Sequence, residues 1–244
     1  MRKWLLIAAT VSLFSLVAVA QGLYPIYYDC TLLPSGFESG TRLFVSNPND
    51  TGVQYTITLF SPQGSQLGTA DYFVNQNAAH QIWLADLISG DRMYAWGLCV
   101  LQTWLGYPTE LEIVAERYTM GTLLGYDAIP ADAVGSWHSV FYNASHSQGG
   151  PDNDTHLSVM NPTDTANGYQ IELYDAYGSL LAIEYGIVNP GRTNVHRLSD
   201  FVTTSRDFAW GLCIVRARTY EYERFAVNVY RLRDGRFLNS QTVP

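Results

Sequence analysis

The sequence is poor in charge, in lysine and in cysteine. Only 15% of its 244 residues are charged while 47% are hydrophobic, and this balance excludes an intrinsically disordered chain. The 14 basic residues are outnumbered by 22 acidic ones. That ratio argues against a nucleic-acid partner, because a surface that faces phosphates is normally basic. Lysine occurs once, as Lys3, so every later basic residue is an arginine.

Familiar catalytic and metal-binding motifs are also missing. No G-x-S-x-G motif marks a serine hydrolase. His138, His146 and His156 lie near a Gly/Asp-rich stretch, but their spacing matches no zinc or calcium motif. The carboxylate pair of a glycosidase is a spatial feature, so a hydrolase stays open as an alternative. We predict a protein that is not an enzyme and that holds no metal or cofactor.

The long apolar run lies at the N-terminus. Arg2 and Lys3 precede an apolar stretch over Trp4–Val17, which is too short for a comfortable membrane span. Ala18-Val19-Ala20 then supplies the small residues of a signal-peptidase site. We predict a signal peptide over residues 1–20 and a secreted or periplasmic protein with no membrane span after cleavage. An uncleaved anchor is the alternative.

Two long motifs occur twice in the chain. The segment Leu43–Thr51 recurs as Leu157–Thr165, and Ala95–Cys99 recurs as Ala209–Cys213, both 114 residues later. A repeat of this length is near the commonest size of a domain. We predict module 1 over residues 22–124, a linker over 125–136, module 2 over 137–238 and a tail over 239–244.

Within each copy the apolar residues alternate with polar ones. Val53, Tyr55, Ile57 and Leu59 alternate with Gln54, Thr56 and Thr58, a period of two that is typical of half-buried strands. Turn formers such as Asn-Pro-x-Asp separate these strands. Six or seven short strands in each copy predict an all-β fold of two tandem, homologous β-sandwich modules.

The order of the motifs resembles a known family. Each copy has an aromatic strand, the motif L-x-V-x-N-P-x-D-T, an L-x-D-[LF] segment, a Trp-Gly-Leu-Cys strand and a last strand with Arg. This resembles the small β-sandwich of the sensory-rhodopsin transducer family and the strand repeats of uncharacterised secreted bacterial proteins. Asp200, Asp207-Phe208-Ala209 and Arg231 carry the likeness in the second copy, and Asp86 and Arg117 in the first. The resemblance implies a non-enzymatic, often oligomeric binding module.

The sequence suggests two kinds of side-chain pairing, an ion pair and a disulfide. Asp86 and Arg117 recur as Asp200 and Arg231, and we predict that each module holds an Asp–Arg ion pair at the edge of its core, where Arg can bind a carboxylate in bidentate geometry. Independent surface charges are the alternative. Cys30 and Cys99 could form a disulfide in module 1, since exported chains often use them. The alternative is that they and Cys213 are buried free thiols.

Aromatic residues supply the functional hypothesis. Trp104 and Tyr107 follow the Trp-Gly-Leu-Cys strand of module 1, and Tyr220 and Tyr222 follow that of module 2. Exposed rings stack on sugars or anchor protein partners, although edge residues covering the core would also be aromatic. We expect Trp96 and Trp210 to lie in the core.

The expected function is therefore that of a non-catalytic binding or surface-assembly protein, with an unknown protein or glycan partner and homo-oligomers as an option. A carbohydrate-binding module pair is the second hypothesis. Basic residues give one more indication of where the copies differ, because nine of the arginines lie after residue 134 and six of these within 216–236. If the two copies differ in function, we expect the difference in this arginine-rich region of module 2, where the positive charge is concentrated.

Overall fold

The chain folds almost entirely into antiparallel β-strands. The computed structural model describes residues 22–33, 36–89, 94–104, 110–130, 133–147, 150–202, 208–218, 223–233 and 236–243. These ranges contain seventeen strands, two short 3₁₀ turns and no α-helix, which confirms the prediction of an all-β sandwich fold. The predicted signal peptide lies outside the described residues.

Residues 22–130, here called the first half, form eight strands. They are β1 (Leu23–Leu33), β2 (Gly36–Ser46), β3 (Val53–Phe60), β4 (Gln66–Val74), β5 (Ala79–Trp83), β6 (Tyr94–Thr103), β7 (Glu112–Thr119) and β8 (Thr122–Ile129). The hydrogen-bonded order is β4-β3-β6-β1-β2-β7-β8, with β5 on the free side of β2. Strand β2 pairs first with β1 and then with β5, so it passes from one layer of a sandwich into the other.

Residues 133–243, the second half, repeat this order. The strands are β9 (Val134–Gly135), β10 (Trp137–Ser147), β11 (Gly150–Met160), β12 (Asn167–Asp175), β13 (Leu180–Val188), β14 (Thr193–Arg197), β15 (Phe208–Ala217), β16 (Phe225–Arg233) and β17 (Arg236–Val243). The order is β13-β12-β15-β10-β11-β16-β17, with β14 on β11 and β9 on β16. The sheet order thus follows the sequence repeat, and the interpretation of the halves as two copies of one module stays a prediction.

Each half has its own core, built by the predicted alternation. In β3, Val53, Tyr55, Ile57 and Leu59 are buried and the residues between them are partly exposed. Tyrosines supply much of the core volume in both halves, and their hydroxyls reach polar partners at the core edge. The Tyr55 hydroxyl lies 3.0 Å from His80 Nδ1. Burial of apolar area in two separate cores is the main stabilising term.

The predicted domain boundaries differ from the observed strands. Strand β8 runs to Ile129, five residues into the predicted linker, and β17 runs to Val243 through most of the predicted tail. In β8 only Asp127 and Ile129 are buried, so its sequence lacks the regular alternation of a half-buried strand. The last strand of each half, β8 in the first and β17 in the second, is therefore not predicted from the sequence.

The halves are joined by a polar and an apolar contact. Leu98 and Val100 on the outer side of β6 cluster with Met160 and Ala226 of the second half. Beside this cluster, Asp127 accepts hydrogen bonds from Thr242, at 2.8 Å from its backbone nitrogen and 2.7 Å from its hydroxyl. The outer side of the β11-β16-β17 layer thus covers the outer side of β1 and β6.

Candidate binding surface

The four aromatic residues of the binding hypothesis are not brought together among the described residues. Trp104 directly follows β6 and is 42% exposed, but its indole nitrogen already donates to Thr56 Oγ1 at 2.9 Å. Tyr107, Tyr220 and Tyr222 lie outside the described residues. A sugar-binding platform can therefore not be assembled from the part of the chain that the structure describes.

Neither predicted Asp–Arg pair is formed in the described structure. Arg117 is buried at the end of the inward row of β7, as expected, but it donates to the Tyr27 carbonyl at 2.9 Å and to Ser240 Oγ at 2.7 Å. Asp86 is exposed on its 3₁₀ turn. In the second half, Arg231 donates to the Phe141 carbonyl at 3.2 Å. In both halves a backbone carbonyl, of β1 in the first and of β10 in the second, accepts from the guanidinium in place of the aspartate.

The possible disulfide between Cys30 and Cys99 is also absent. Cys30, Cys99 and Cys213 are buried free thiols. In the β1–β6 ladder Cys30 lies opposite Ala95 and Cys99 lies opposite Ile26, which separates the two cysteines by four residues, or about 13 Å of strand. A disulfide needs α-carbons within about 7 Å. Burial raises the pKa of Cys30 to about 12, so this thiol stays protonated and behaves as a small apolar side chain.

A cleft lies at the junction of the halves. It encloses about 340 Å³ and is lined by Tyr27, Asp29, Tyr94, Arg117 and His156, among others. Its floor is an aromatic pair in which the rings of Tyr27 and Tyr230 stack at 5.6 Å. Both halves contribute to this cleft, so it forms only when they pack together.

A chain of hydrogen bonds leads from the cleft into the second half. The buried Asp154 carboxylate lies 2.9 Å from His156 Nε2, and His156 Nδ1 lies 3.0 Å from the Tyr230 hydroxyl. Burial raises the pKa of Tyr230 to about 12. The phenol is therefore neutral and is not an activated nucleophile. This chain of hydrogen bonds holds the Tyr230 ring in place.

Asp154 is the acid that holds this chain. Burial alone would raise its pKa, but hydrogen bonds from His156, Ser199 and Arg197 outweigh burial and lower the pKa of Asp154 below its usual value. Stability from a lowered carboxyl pKa is present above the unfolded value and is lost as pH falls through the folded one. The stability that Asp154 contributes is therefore kept in mild acid and is lost only as the pH falls through its folded pKa.

Asp29 behaves in the opposite way. Its Oδ1 is buried and has no hydrogen-bond partner among the described residues, and burial raises the pKa of Asp29 while Arg117 offsets part of the rise. An acid with a raised pKa in the folded state lowers stability as pH rises above the unfolded value. The second half carries Asn143 at the equivalent position, which avoids this ionisation.

We predict that Asp29→Asn raises the melting temperature at pH 7 by a few degrees. The gain should shrink as pH falls towards the unfolded pKa of 3.8, because both side chains are then neutral. Thermal melts between pH 3.5 and pH 8 measure it. The reverse change, Asn143→Asp, is the control and should lower the melting temperature at pH 7. A gain of the same size at both ends of the pH range would contradict the role of ionisation.

A group of exposed apolar side chains lies on one layer of the second half. We call the outer side of the β13-β12-β15-β10 layer the outer face. Eight large apolar side chains that are 41–61% exposed lie on it: Trp137, Phe141, Leu180, Ile183, Tyr185, Ile187, Trp210 and Leu212. Trp210, which we expected in the core, is 47% exposed. Patches of this kind on a folded protein usually mark interaction sites.

The outer face has a polar centre. Glu172 is buried beneath it and accepts hydrogen bonds from Arg216, Gln170 and the Tyr174 hydroxyl, the last at 2.8 Å. The Arg216 charge is thus neutralised within the face. Arg218 lies at the rim, with its guanidinium 5.2 Å from the centre of the Tyr185 ring. The face combines apolar ends with a satisfied central cluster, which is how protein interfaces are commonly built.

The first half differs at the same positions. Leu98 is fully buried against the second half, whereas its equivalent Leu212 is 43% exposed. On β4, where no other part of the described chain covers the sheet, Thr69 and Asp71 stand at the positions of Ile183 and Tyr185. In the first half the outer side is therefore apolar where it is covered and, with the exception of the half-exposed Phe73, polar where it meets solvent. The outer face of the second half breaks this rule.

No group of three or more His, Cys, Asp or Glu side chains in the described ranges could hold a metal ion. The described part of the chain contains no helix with the length and apolar character needed to span a membrane. A scan against protein-family models found no match, and a search of the curated proteins found none either.

Proposed function

We propose that the protein is an exported, non-catalytic pair of β-sandwich modules that docks onto a protein partner through the outer face of the second half. The observation that carries this proposal is the contrast between equivalent positions. Leu98 is buried inside the chain and Leu212 is exposed. The solvent-facing part of the first half carries Thr69 and Asp71, whereas the same part of the second half carries Ile183 and Tyr185. The second half is therefore the one suited to a partner.

The apolar character of the face supports a protein partner more than a glycan. Its side chains are large, half-exposed and flank a neutralised polar cluster, a composition in which aromatic anchors contribute most of the binding energy. The glycan alternative rests on four rings, of which Trp104 is the one described, and its indole nitrogen is occupied by Thr56.

Photo-crosslinking tests the proposal. Benzoylphenylalanine is placed at Trp210, and at Phe73 as the control, because Phe73 is an aromatic residue 50% exposed on the corresponding layer of the first half. After irradiation in the culture that produces the protein, we expect a discrete higher-mass adduct from position 210 and none from position 73. No adduct from position 210, or the same adduct from both positions, would contradict a docking role for the outer face.

A further inference from the structure

The apolar side chains of the outer face form two groups with a polar cluster between them. Its two apolar groups flank the Glu172–Arg216 cluster on opposite sides. One group lies on β10 and β15 and contains Trp137, Phe141, Trp210 and Leu212, and the other lies on β13 and contains Leu180, Ile183, Tyr185 and Ile187. A two-fold axis through the central cluster would place each group on the opposite group of an identical face. Such self-complementarity is the requirement for an isologous contact.

The size of the face also fits a second copy. Four of the eight side chains are aromatic, and a half-exposed ring offers on the order of 100 Å². With the four aliphatic side chains, which offer roughly half as much each, the face offers on the order of 600 Å². That approaches the roughly 800 Å² which each partner contributes to a standard, stable protein interface. A face much smaller than this would favour a weak or peptide-like partner instead.

Charge does not oppose pairing of like faces. The central Arg216 is paired with Glu172 inside each copy, and Arg218 lies at the rim, where water remains. Two copies would therefore bring no unpaired charge into the centre of the interface, where an unpaired charge would be costly.

The chain itself contains a related contact. The β10-β15 side of the second half corresponds to the β1-β6 side of the first half, which is already covered by a flat sheet layer, that of β11, β16 and β17. Leu98 and Val100 show that this layer of the fold packs against another sheet. A sheet layer is thus a suitable occupant for the uncovered face as well.

We infer that the protein forms a symmetric dimer in which the outer faces of two second halves pack against each other. This inference rests on the proposed function and names the partner as a second copy of this chain. The first halves then lie at the two ends of the dimer, and their polar outer layers stay in solvent.

Sedimentation equilibrium of the purified protein tests the dimer. We expect twice the mass of one chain at micromolar concentration. Ile187→Glu and Trp210→Glu should each weaken the dimer by at least tenfold and give the mass of one chain. Phe73→Glu changes the position of the first half that corresponds to Ile187 and should leave the dimer intact. Far-UV circular dichroism identifies any variant that fails to fold. Ile187 and Trp210 are both exposed side chains, and one of the two variants in folded form is enough to test the dimer.

Three results would overturn the dimer. The first is a wild-type protein that has the mass of one chain at every concentration. A monomer of this kind would overturn the dimer whether or not it cosediments with phosphatidylcholine vesicles. The second is a mass that grows beyond two chains as concentration rises, which would indicate an open, head-to-tail contact. The third is a dimer that survives in a folded Ile187→Glu or Trp210→Glu variant. A monomer that still crosslinks another protein from position 210 would overturn the dimer and leave the proposed function standing.

Discussion

Arg117→Ala is expected to lower the free energy of unfolding by about 3–5 kcal/mol, the range for removing one partner of a buried charge cluster. The guanidinium lies at the junction of the halves, where it bonds the Tyr27 carbonyl and the Ser240 hydroxyl and its carbon lies 5.4 Å from the centre of the Tyr27 ring. The charges of Asp127 and Asp29 favour the charged form of Arg117. Alanine would remove this positive charge from the surroundings of the two buried acids and would open a cavity.

Arg231→Ala is the matched control for this change. Arg231 occupies the same place in the second half, but it is only partly buried and its two hydrogen bonds are 3.2 and 3.4 Å long. Exposed interactions of this kind contribute about 1 kcal/mol or less. Urea unfolding of both variants measures the difference. Equal losses from the two changes would mean that burial at the junction does not determine the role of Arg117.

Gly97→Ala is expected to destabilise the protein by about 3 kcal/mol, from backbone strain and overpacking together. Gly97 has a φ of 143°, a conformation that residues with a side chain rarely adopt. A β-carbon there would lie 2.3 Å from the Phe60 carbonyl oxygen. Gly211 meets the Tyr174 carbonyl at 2.2 Å in the same way. The close approach of β6 to the end of β3 explains why the Trp-Gly-Leu-Cys motif carries glycine in both halves.

Gly121→Ala separates the two causes of this loss. Gly121 also has a positive φ, of 75°, but a β-carbon there would meet nothing within 4 Å. We expect a loss of about 1 kcal/mol, from the backbone preference alone. If Gly97→Ala costs no more than Gly121→Ala in chemical unfolding, the contact with Phe60 is not what requires glycine.

The alternation of apolar residues predicted the sandwich strands because one face of each was polar. This worked for β3, where Gln54, Thr56 and Thr58 point outward. It could not assign β15, in which Trp210, Leu212 and Ile214 on one side are as apolar as Ala209, Cys213 and Val215 on the other. The apolar pattern therefore predicts Trp210 in the core, whereas its side chain lies on the outer face.

The outer face could not be derived from either copy alone. Whether an outer side is covered depends on how the halves pack, and the contact of Leu98 with Met160 is formed between residues far apart in sequence. One signal was present in the repeat. Thr69 and Asp71 align with Ile183 and Tyr185 at the 114-residue offset, and a polar-to-apolar change at equivalent outward positions indicates a surface that one copy must cover.

The central claim is that the outer face of the second half is covered in the working protein. Hydroxyl-radical oxidation of its tryptophans tests this most directly. Within one chain Trp137 and Trp210 are 55% and 47% exposed and Trp104 is 42% exposed, so an unpartnered chain would oxidise all three at similar rates. We predict that Trp137 and Trp210 oxidise several-fold more slowly than Trp104 in the protein as isolated. Similar rates for the three residues would contradict the claim.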